Sequence, residues 1–384
     1  MIGTKPPETV LDVLIAREFG QLDLAYLNHA AVGPWAHRTA VAVHRFADES
    51  VRLGAAHYPR WMEVEAALRD QSARLIQASA SEIAFVKNTS EGLSFVARGF
   101  PWQAGDRVVI PAEEFPSNRI VWESLTSLGV SVQKVPLRTV QDPEQALLSA
   151  LDRYTRVLSV SSVQYADGLK LDLERLGRYC REHGIAFCVD AIQGLGCFEH
   201  DVDRCYIDFL VADAHKWLLA PEGIALFYCS SAWRDRLSLH EFGWRMTSQP
   251  EQFEATSWAP AVSSRRFECG SPNMLGIHAL HASLSLFEEV GMRQVSARLD
   301  ARVAWLLEAL ATLPRGQLRT RPEAARRAGI VSWQPDRDAT AIYQALQAEQ
   351  IICAVRSGAL RFSPHFYTPW PDLERLYASL KVLV

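Results

Sequence analysis

Lysine is scarce in this chain. Lys5, Lys87, Lys134, Lys170, Lys216 and Lys381 are all there are, and arginine supplies the other basic residues. The seven cysteines (180, 188, 197, 205, 229, 269 and 353) form no C-x-x-C pair, and several lie in apolar runs. That spacing argues against a zinc site and for reduced, packed thiols in a cytoplasmic protein. No apolar run approaches the length of a membrane-spanning helix. Met1 to Phe19 mixes acidic and apolar residues without the basic-then-apolar order of a secretory signal. A formal net charge of −4 gives no reason to expect nucleic acid or an anionic membrane as partner. What remains is an ordinary globular composition, 48% hydrophobic and 22% charged, in 384 residues. Such a chain is long enough for two domains or one large α/β unit with a real core.

One of the six lysines stands apart. The stretch Asp208 to Tyr228 holds an apolar run, Phe209 to Ala212, then Asp213-Ala214-His215-Lys216, then the turn residues Pro221 and Gly223 and a second apolar run, Ile224 to Tyr228. Lys216 therefore sits between two buried strands. A lysine there must find a partner, shift its pKa or be used covalently, because burying a free ammonium is costly. Schiff-base chemistry with a carbonyl group is the functional reading. The plainer alternative is a packed stem with its head in solvent.

Residues 36–53 and 61–77 read as helices separated by a loop, Ala55-Ala56-His57-Tyr58-Pro59-Arg60. The opening segment to Leu22 has helical spacing at Val10, Leu11, Leu14 and Ile15. From residue 82 short apolar strands alternate with helical stretches. The strands are 83–86, 108–110, 130–135, 157–160, 186–189, 209–211 and 224–228, with helices near 90–99, 117–128, 142–153 and 172–183. Alternation of this kind predicts a mostly parallel sheet with helices on both faces. Two long helices, 276–290 and 294–313, and strands near 330 and 352 follow.

Ligands on such sheets sit beyond the carboxyl ends of the strands. Those ends are chemically pointed. Asn88-Thr89-Ser90-Glu91-Gly92 opens a helix whose free N–H groups and hydroxyls suit a phosphate, or are an ordinary N-cap. Glu113-Glu114-Phe115 places an aromatic at the sheet edge, Ser161-Ser162-Val163-Gln164-Tyr165 follows the fourth strand, and Asp190-Ala191-Ile192-Gln193 puts a carboxylate after the fifth. A phosphate cradle, an aromatic plate, a carboxylate and a buried lysine together describe pyridoxal 5′-phosphate (PLP), whose aldehyde, ring nitrogen and phosphate need those partners.

The chain resembles the class V aminotransferases, the fold-type-I PLP enzymes that include cysteine desulfurases, isopenicillin N epimerase and kynureninase. The resemblance runs from Tyr26-Leu27-Asn28-His29-Ala30-Ala31 to Arg361-Phe362-Ser363-Pro364-His365-Phe366-Tyr367. It implies Lys216 as the Schiff-base lysine, with His215 beside it near the phosphate, and Asp190 on the pyridinium nitrogen. It places Gln193 on the phenolic oxygen, Thr89 and Ser90 on the phosphate, Phe115 against the ring and Ser162 nearby. Arg361 would grip the substrate's α-carboxylate, with Asn28 as a further candidate substrate contact; His29, His57 and Tyr58 either shape substrate choice or are structural. Ser271, in Gly270-Ser271-Pro272-Asn273, would reach the phosphate of a neighbouring subunit, which implies a homodimer. The implied organisation is a large PLP-binding domain, 28–262, and a smaller α+β domain from 1–27 and 263–384.

Two departures matter. Asp213 stands where desulfurase-type relatives often carry serine near the phosphate, so it is expected to turn toward His215 or a backbone donor. Val355-Arg356-Ser357-Gly358-Ala359-Leu360 holds no cysteine where group II desulfurases carry a sulfur-accepting one. Cys353 lies in the run 351–355, read as a strand, which would pack its thiol. The resemblance implies an amino-acid aminotransferase or a desulfurase-like lyase lacking the loop cysteine, with an isopenicillin-N-epimerase-like racemase or epimerase as the alternative.

Overall fold

A computed structural model describes residues 10–20 and 22–384. The part of the opening segment before Val10, with Lys5, lies outside the described residues; from Val10 the expected helix runs Val10–Phe19. Seven strands form one sheet in the spatial order Ile83–Val86, Ala225–Cys229, Phe209–Asp213, Ala186–Asp190, Thr155–Ser161, Arg107–Pro111 and Ser131–Val135. Every pairing is parallel except the two made by Ala225–Cys229, which runs antiparallel to both neighbours. The middle strands are buried along their whole length, as continuous apolar runs covered on both faces must be.

Parallel strands need long crossovers; the helices Thr89–Gly99, Ser117–Glu123, Pro143–Ala150 and Leu173–His183 lie in four of them, and the one from Asp190 to Phe209 is irregular. Antiparallel neighbours need no crossover. The connection from Phe209–Asp213 to Ala225–Cys229 can therefore be a short irregular loop, and it is the one that carries Lys216. Helix-to-sheet packing is close at Gly92, where a methyl group would strike the Val211 side chain, and at Gly177, where it would overlap the Cys205 carbonyl.

A second, antiparallel sheet has the order Ala354–Arg356, Ala359–Phe362, Val331–Pro335, Gly316–Leu318. Helices Met292–Ala311, Ala339–Ala348 and Trp370–Leu383 accompany it. The N-terminal strand Ala25–Tyr26 pairs in parallel with Ile351–Ile352, and Asn28 bridges Ser363. Among the described residues no helix is long and apolar enough to cross a membrane.

The differences from expectation are local. The second long helix begins at Tyr58, not after the loop, because Pro59 falls in its first turn, where proline's fixed φ suits a helix start. The stretch 117–128 is α-helical only to Glu123 and continues as a 3-10 turn over Ser124–Leu128. There the hydroxyls of Ser124 and Thr126 bond back to carbonyls three residues earlier. The single strand expected over 351–355 is two, Ile351–Ile352 and Ala354–Arg356, in different sheets, with Cys353 buried between them.

Candidate active site

Lys216 is buried and lies in the loop between Phe209–Asp213 and Ala225–Cys229. The loop is pinned from outside. Gly33 donates its N–H to the His215 carbonyl at 2.7 Å, and a methyl group on Gly33 would overlap the Lys216 carbonyl. Asn273 donates to the Gly223 carbonyl at 3.0 Å while its Oδ1 caps helix Met274–Val290. Burial pushes the Lys216 ammonium below its ordinary range; the carboxylates of Asp190 and Asp213 oppose that shift, and the charges of Arg361 and Arg356 add to it. The Phe115 ring centroid is 5.7 Å from Lys216 Nζ. Phe115 is half-exposed and meets Tyr165 edge-on.

Asp190, the last residue of its strand, is buried, and its Oδ1 accepts the Ile192 N–H at 3.0 Å. Burial raises its carboxyl well above the usual range, and the Lys216 charge works against that rise. Gln193 is fixed on both sides: Trp217 Nε1 donates to Oε1 at 2.8 Å and Nε2 donates to the Ala30 carbonyl at 3.0 Å. One N–H of that amide remains to be used. Ser162 is fully buried, its Oγ has no partner, and it lies against Gly194.

The helix Thr89–Gly99 is capped by Asn88, whose side chain accepts the Glu91 N–H. Thr89 and Asp213 hold each other. Thr89 N–H donates to Asp213 Oδ2, and Asp213 N–H donates to Thr89 Oγ1, both at 3.2 Å. Ser90 Oγ donates to Ser117 Oγ at 2.8 Å. His215 Nδ1 lies 3.9 Å from Asp213 Oδ2 and is buried without a hydrogen bond. Burial and the neighbouring Lys216 charge push His215 down to about 4, so it is neutral near pH 7. Asp213 thus turns to a backbone donor, with His215 alongside.

Arg361 is 2% exposed on the strand Ala359–Phe362. Its Nη1 donates to the Tyr165 carbonyl at 2.9 Å, while Nε and Nη2 are buried with no partner. Two adjacent unpaired donors on one guanidinium are what a carboxylate needs. Arg356 and Ala359 are cross-strand partners, so Ser357 and Gly358 form a two-residue turn, both at positive φ (51° and 77°). The nearest thiol, Cys353, is buried and pushed up to about 12.

Other expected contacts are placed differently. His29 is fully buried, with Nδ1 on the Ser363 carbonyl (2.8 Å) and Nε2 on the Tyr367 hydroxyl (2.7 Å), so neither ring nitrogen is left for a substrate. Asn28 keeps a buried Oδ1 without a partner. His57 lies 3.4 Å from Glu49. Ser271 is exposed. Residue types alone did not single out Glu114, which is buried and accepts from Ser161 N–H, Ser161 Oγ and Gln164 Nε2 behind Asp190. They also missed Trp217 and Tyr165, which orient Gln193 and Arg361. A cavity of about 690 Å³ lined by Phe242, Trp244, Phe253 and Trp258 has no titratable side chain in its wall.

Known proteins share this chain's family and fold. The family model "Aminotransferase class-V" matches residues 39–366. A probable cysteine desulfurase of Methanothermobacter thermautotrophicus is 34% identical over 230 residues, which are 59% of this chain and 56% of that protein. A cysteine desulfurase of Salmonella newport is 30% identical over 315 residues, 78% of this chain and 76% of that one. Among solved structures, the cystine C–S lyase C-DES in complex with its product cysteine persulfide has the same fold. Its TM-score is 0.88 at 22% identity, covering 94% of this chain and 98% of that one.

Proposed function

The chain belongs to the class-V aminotransferase family of PLP-dependent enzymes, and we propose that it is a desulfurase-like lyase acting on a sulfur-bearing amino acid by direct β-elimination. The observation that carries this reading is the two-residue turn at Ser357-Gly358 beside Arg361. Sulfur cannot be handed to a thiol on that hairpin, because the hairpin has none and Cys353 is packed away. The cysteine-desulfurase names of the 30–34% identical relatives support a sulfur amino acid as substrate.

The residues present fit PLP. A buried lysine suits its aldehyde, Asp190 its ring nitrogen, the spare N–H of Gln193 its phenolic oxygen, the Phe115 face its plane, and the Thr89-Ser90 helix start its phosphate. When bound, the cofactor supplies an electron sink for the pair of electrons left at the substrate's α-carbon. Arg361 holds the α-carboxylate through Nε and Nη2 and so fixes which bond at Cα faces Lys216. Lys216, its ammonium disfavoured by burial, accepts the Cα proton at Nζ and returns it to the departing sulfur. The bond from Cβ to sulfur breaks, and one water completes the balance: cysteine would give sulfide, pyruvate and ammonium, and cystine would give cysteine persulfide, pyruvate and ammonium.

The test is to incubate the loaded enzyme with cysteine, cystine and other amino acids singly, and to follow cofactor absorbance and products. Sulfide or persulfide with pyruvate, and no net change in the cofactor, is the expected result. A keto acid with conversion of the cofactor to its amine form identifies an aminotransferase instead. Exchange of the Cα hydrogen with solvent and no other product identifies an epimerase. The active unit proposed is a homodimer in which exposed Ser271 reaches the neighbouring phosphate. A fully active monomer in sedimentation would exclude that.

A further inference from the structure

The start of helix Thr89–Gly99 already holds a carboxylate where the proposed function puts a phosphate. Asp213 Oδ2 takes the Thr89 N–H, and Asn88 takes the Glu91 N–H. Asp213 Oδ1 is buried and unpartnered. A phosphate drawn to the remaining donors, Thr89 Oγ and the Ser90 N–H, arrives beside that bare oxygen, and two like charges in contact at a buried site cannot both be kept.

Of the neighbours Thr89, His215, Lys216, Glu222 and Asp190, only Lys216 carries a charge that works against the repulsion. From the helix there is Thr89, which is uncharged. From its own loop there is His215, neutral at pH 7, then Lys216, the cation that acts on it, and Glu222, whose charge opposes Lys216. From the next strand there is Asp190, a further carboxylate. A serine at this position would donate a hydrogen bond to phosphate; an aspartate can do so only when protonated.

We propose that Asp213 grips the cofactor's phosphate as a neutral carboxylic acid, taking up one proton from solvent as the phosphate enters and donating it from Oδ1 to a phosphate oxygen. The proposal rests on the placement of the phosphate at this helix start. Burial already lifts the free carboxyl to about 6, so the phosphate needs to push it only a little further. The sign follows from linkage. A group whose value rises on binding favours the complex at low pH and loses that contribution as pH rises through the bound value. Affinity for a phosphate-bearing ligand therefore falls with pH above about 6, by up to about tenfold per pH unit while the bound acid stays protonated.

The experiment titrates the cofactor-free full-length protein with pyridoxine 5′-phosphate, which has the phosphate but no aldehyde for Lys216. Calorimetry across about pH 6.5 to 8.5, in buffers of different ionisation enthalpy, counts the protons taken up. Uptake approaching one proton, with none for pyridoxine lacking the phosphate, is expected in the unmodified protein. Asp213→Asn, a shape mimic of the protonated acid, is expected to bind with little pH dependence and at the affinity the unmodified protein shows at low pH. Binding without proton uptake, or the same pH slope in Asp213→Asn, overturns the proposal. Failure of pyridoxine 5′-phosphate to bind at any pH would instead remove the phosphate from this helix start, and the proposal with it.

Discussion

Arg361 is the residue whose surroundings are least complete without a ligand. Two of its buried donors have no partner, and desolvation has already lowered its pKa to about 9. Lysine could restore the charge but not the pair of donors. Arg361→Lys is expected to reduce kcat/KM by about a hundredfold, roughly 3 kcal/mol, in steady-state kinetics, with most of the loss in KM. Lys216 makes a pH prediction of definite sign. Its folded value is depressed, so the neutral amine appears at lower pH than for a free lysine. The rate at which cofactor-free protein captures PLP should climb with pH below the ordinary lysine range, and Lys216→Ala should abolish the bound-cofactor absorbance at every pH. Lys216 and Asp190 could be singled out from the sequence because each follows a strand and carries a charge that burial makes expensive; Gln193 and Arg361 were implied only by the family resemblance. Glu114 and Trp217 could not, since their importance depends on which loops meet across the sheet. The sequence left His29 open between a substrate contact and a structural role; its hydrogen bonds to Ser363 and Tyr367 arise only when residues far apart in the chain are side by side.

The elements were legible wherever the period was strong. All seven strands of the main sheet appear within two residues of where alternating apolar runs put them. Boundaries shifted where a single residue could act either way, as Pro59 did at the start of Tyr58–Ile76. The small antiparallel sheet was harder to read, because strands of three to five residues leave little pattern. One turn has direct leverage on the lysine loop. Gly33 has no room for a methyl group against the Lys216 carbonyl. Gly33→Ala is expected to leave the far-ultraviolet circular dichroism intact while lowering PLP retention on gel filtration at least tenfold, because the loop must move to make space. Gly358→Ala tests a different property. Nothing lies within 4 Å of a methyl there, so only its φ of 77° matters. The cost should be about 1 kcal/mol in urea unfolding.

At the scale of the whole molecule, His29 joins the N-terminal segment to the last strand and the residues beyond it. Burial holds its pKa at about 4, against 6.5 for an ordinary histidine. The unfolded chain therefore binds a proton that the folded chain refuses between those values, and this contribution destabilises as pH falls. His200 and His365 act in the same direction, whereas Asp208 and Asp213, with raised values, act in the opposite one. A comparison of variants isolates the histidine. The stability advantage of the unmodified protein over His29→Gln should shrink by up to about 1.4 kcal/mol per pH unit as pH falls from near 6.5 toward 4. A constant difference in urea midpoints across that range would show that His29 titrates freely.

The pairing of Ala25–Tyr26 with Ile351–Ile352 also sets a timetable. On the ribosome the N-terminal strand cannot make this pairing until Ile351–Ile352 has emerged. At ordinary elongation rates that wait is on the order of tens of seconds. The central sheet can assemble during it, with the lysine loop that Gly33 pins, but Arg361 lies beyond the late strand. The pocket is therefore completed only once Arg361 has followed that strand out, and the cofactor would be captured by a chain synthesised at least that far.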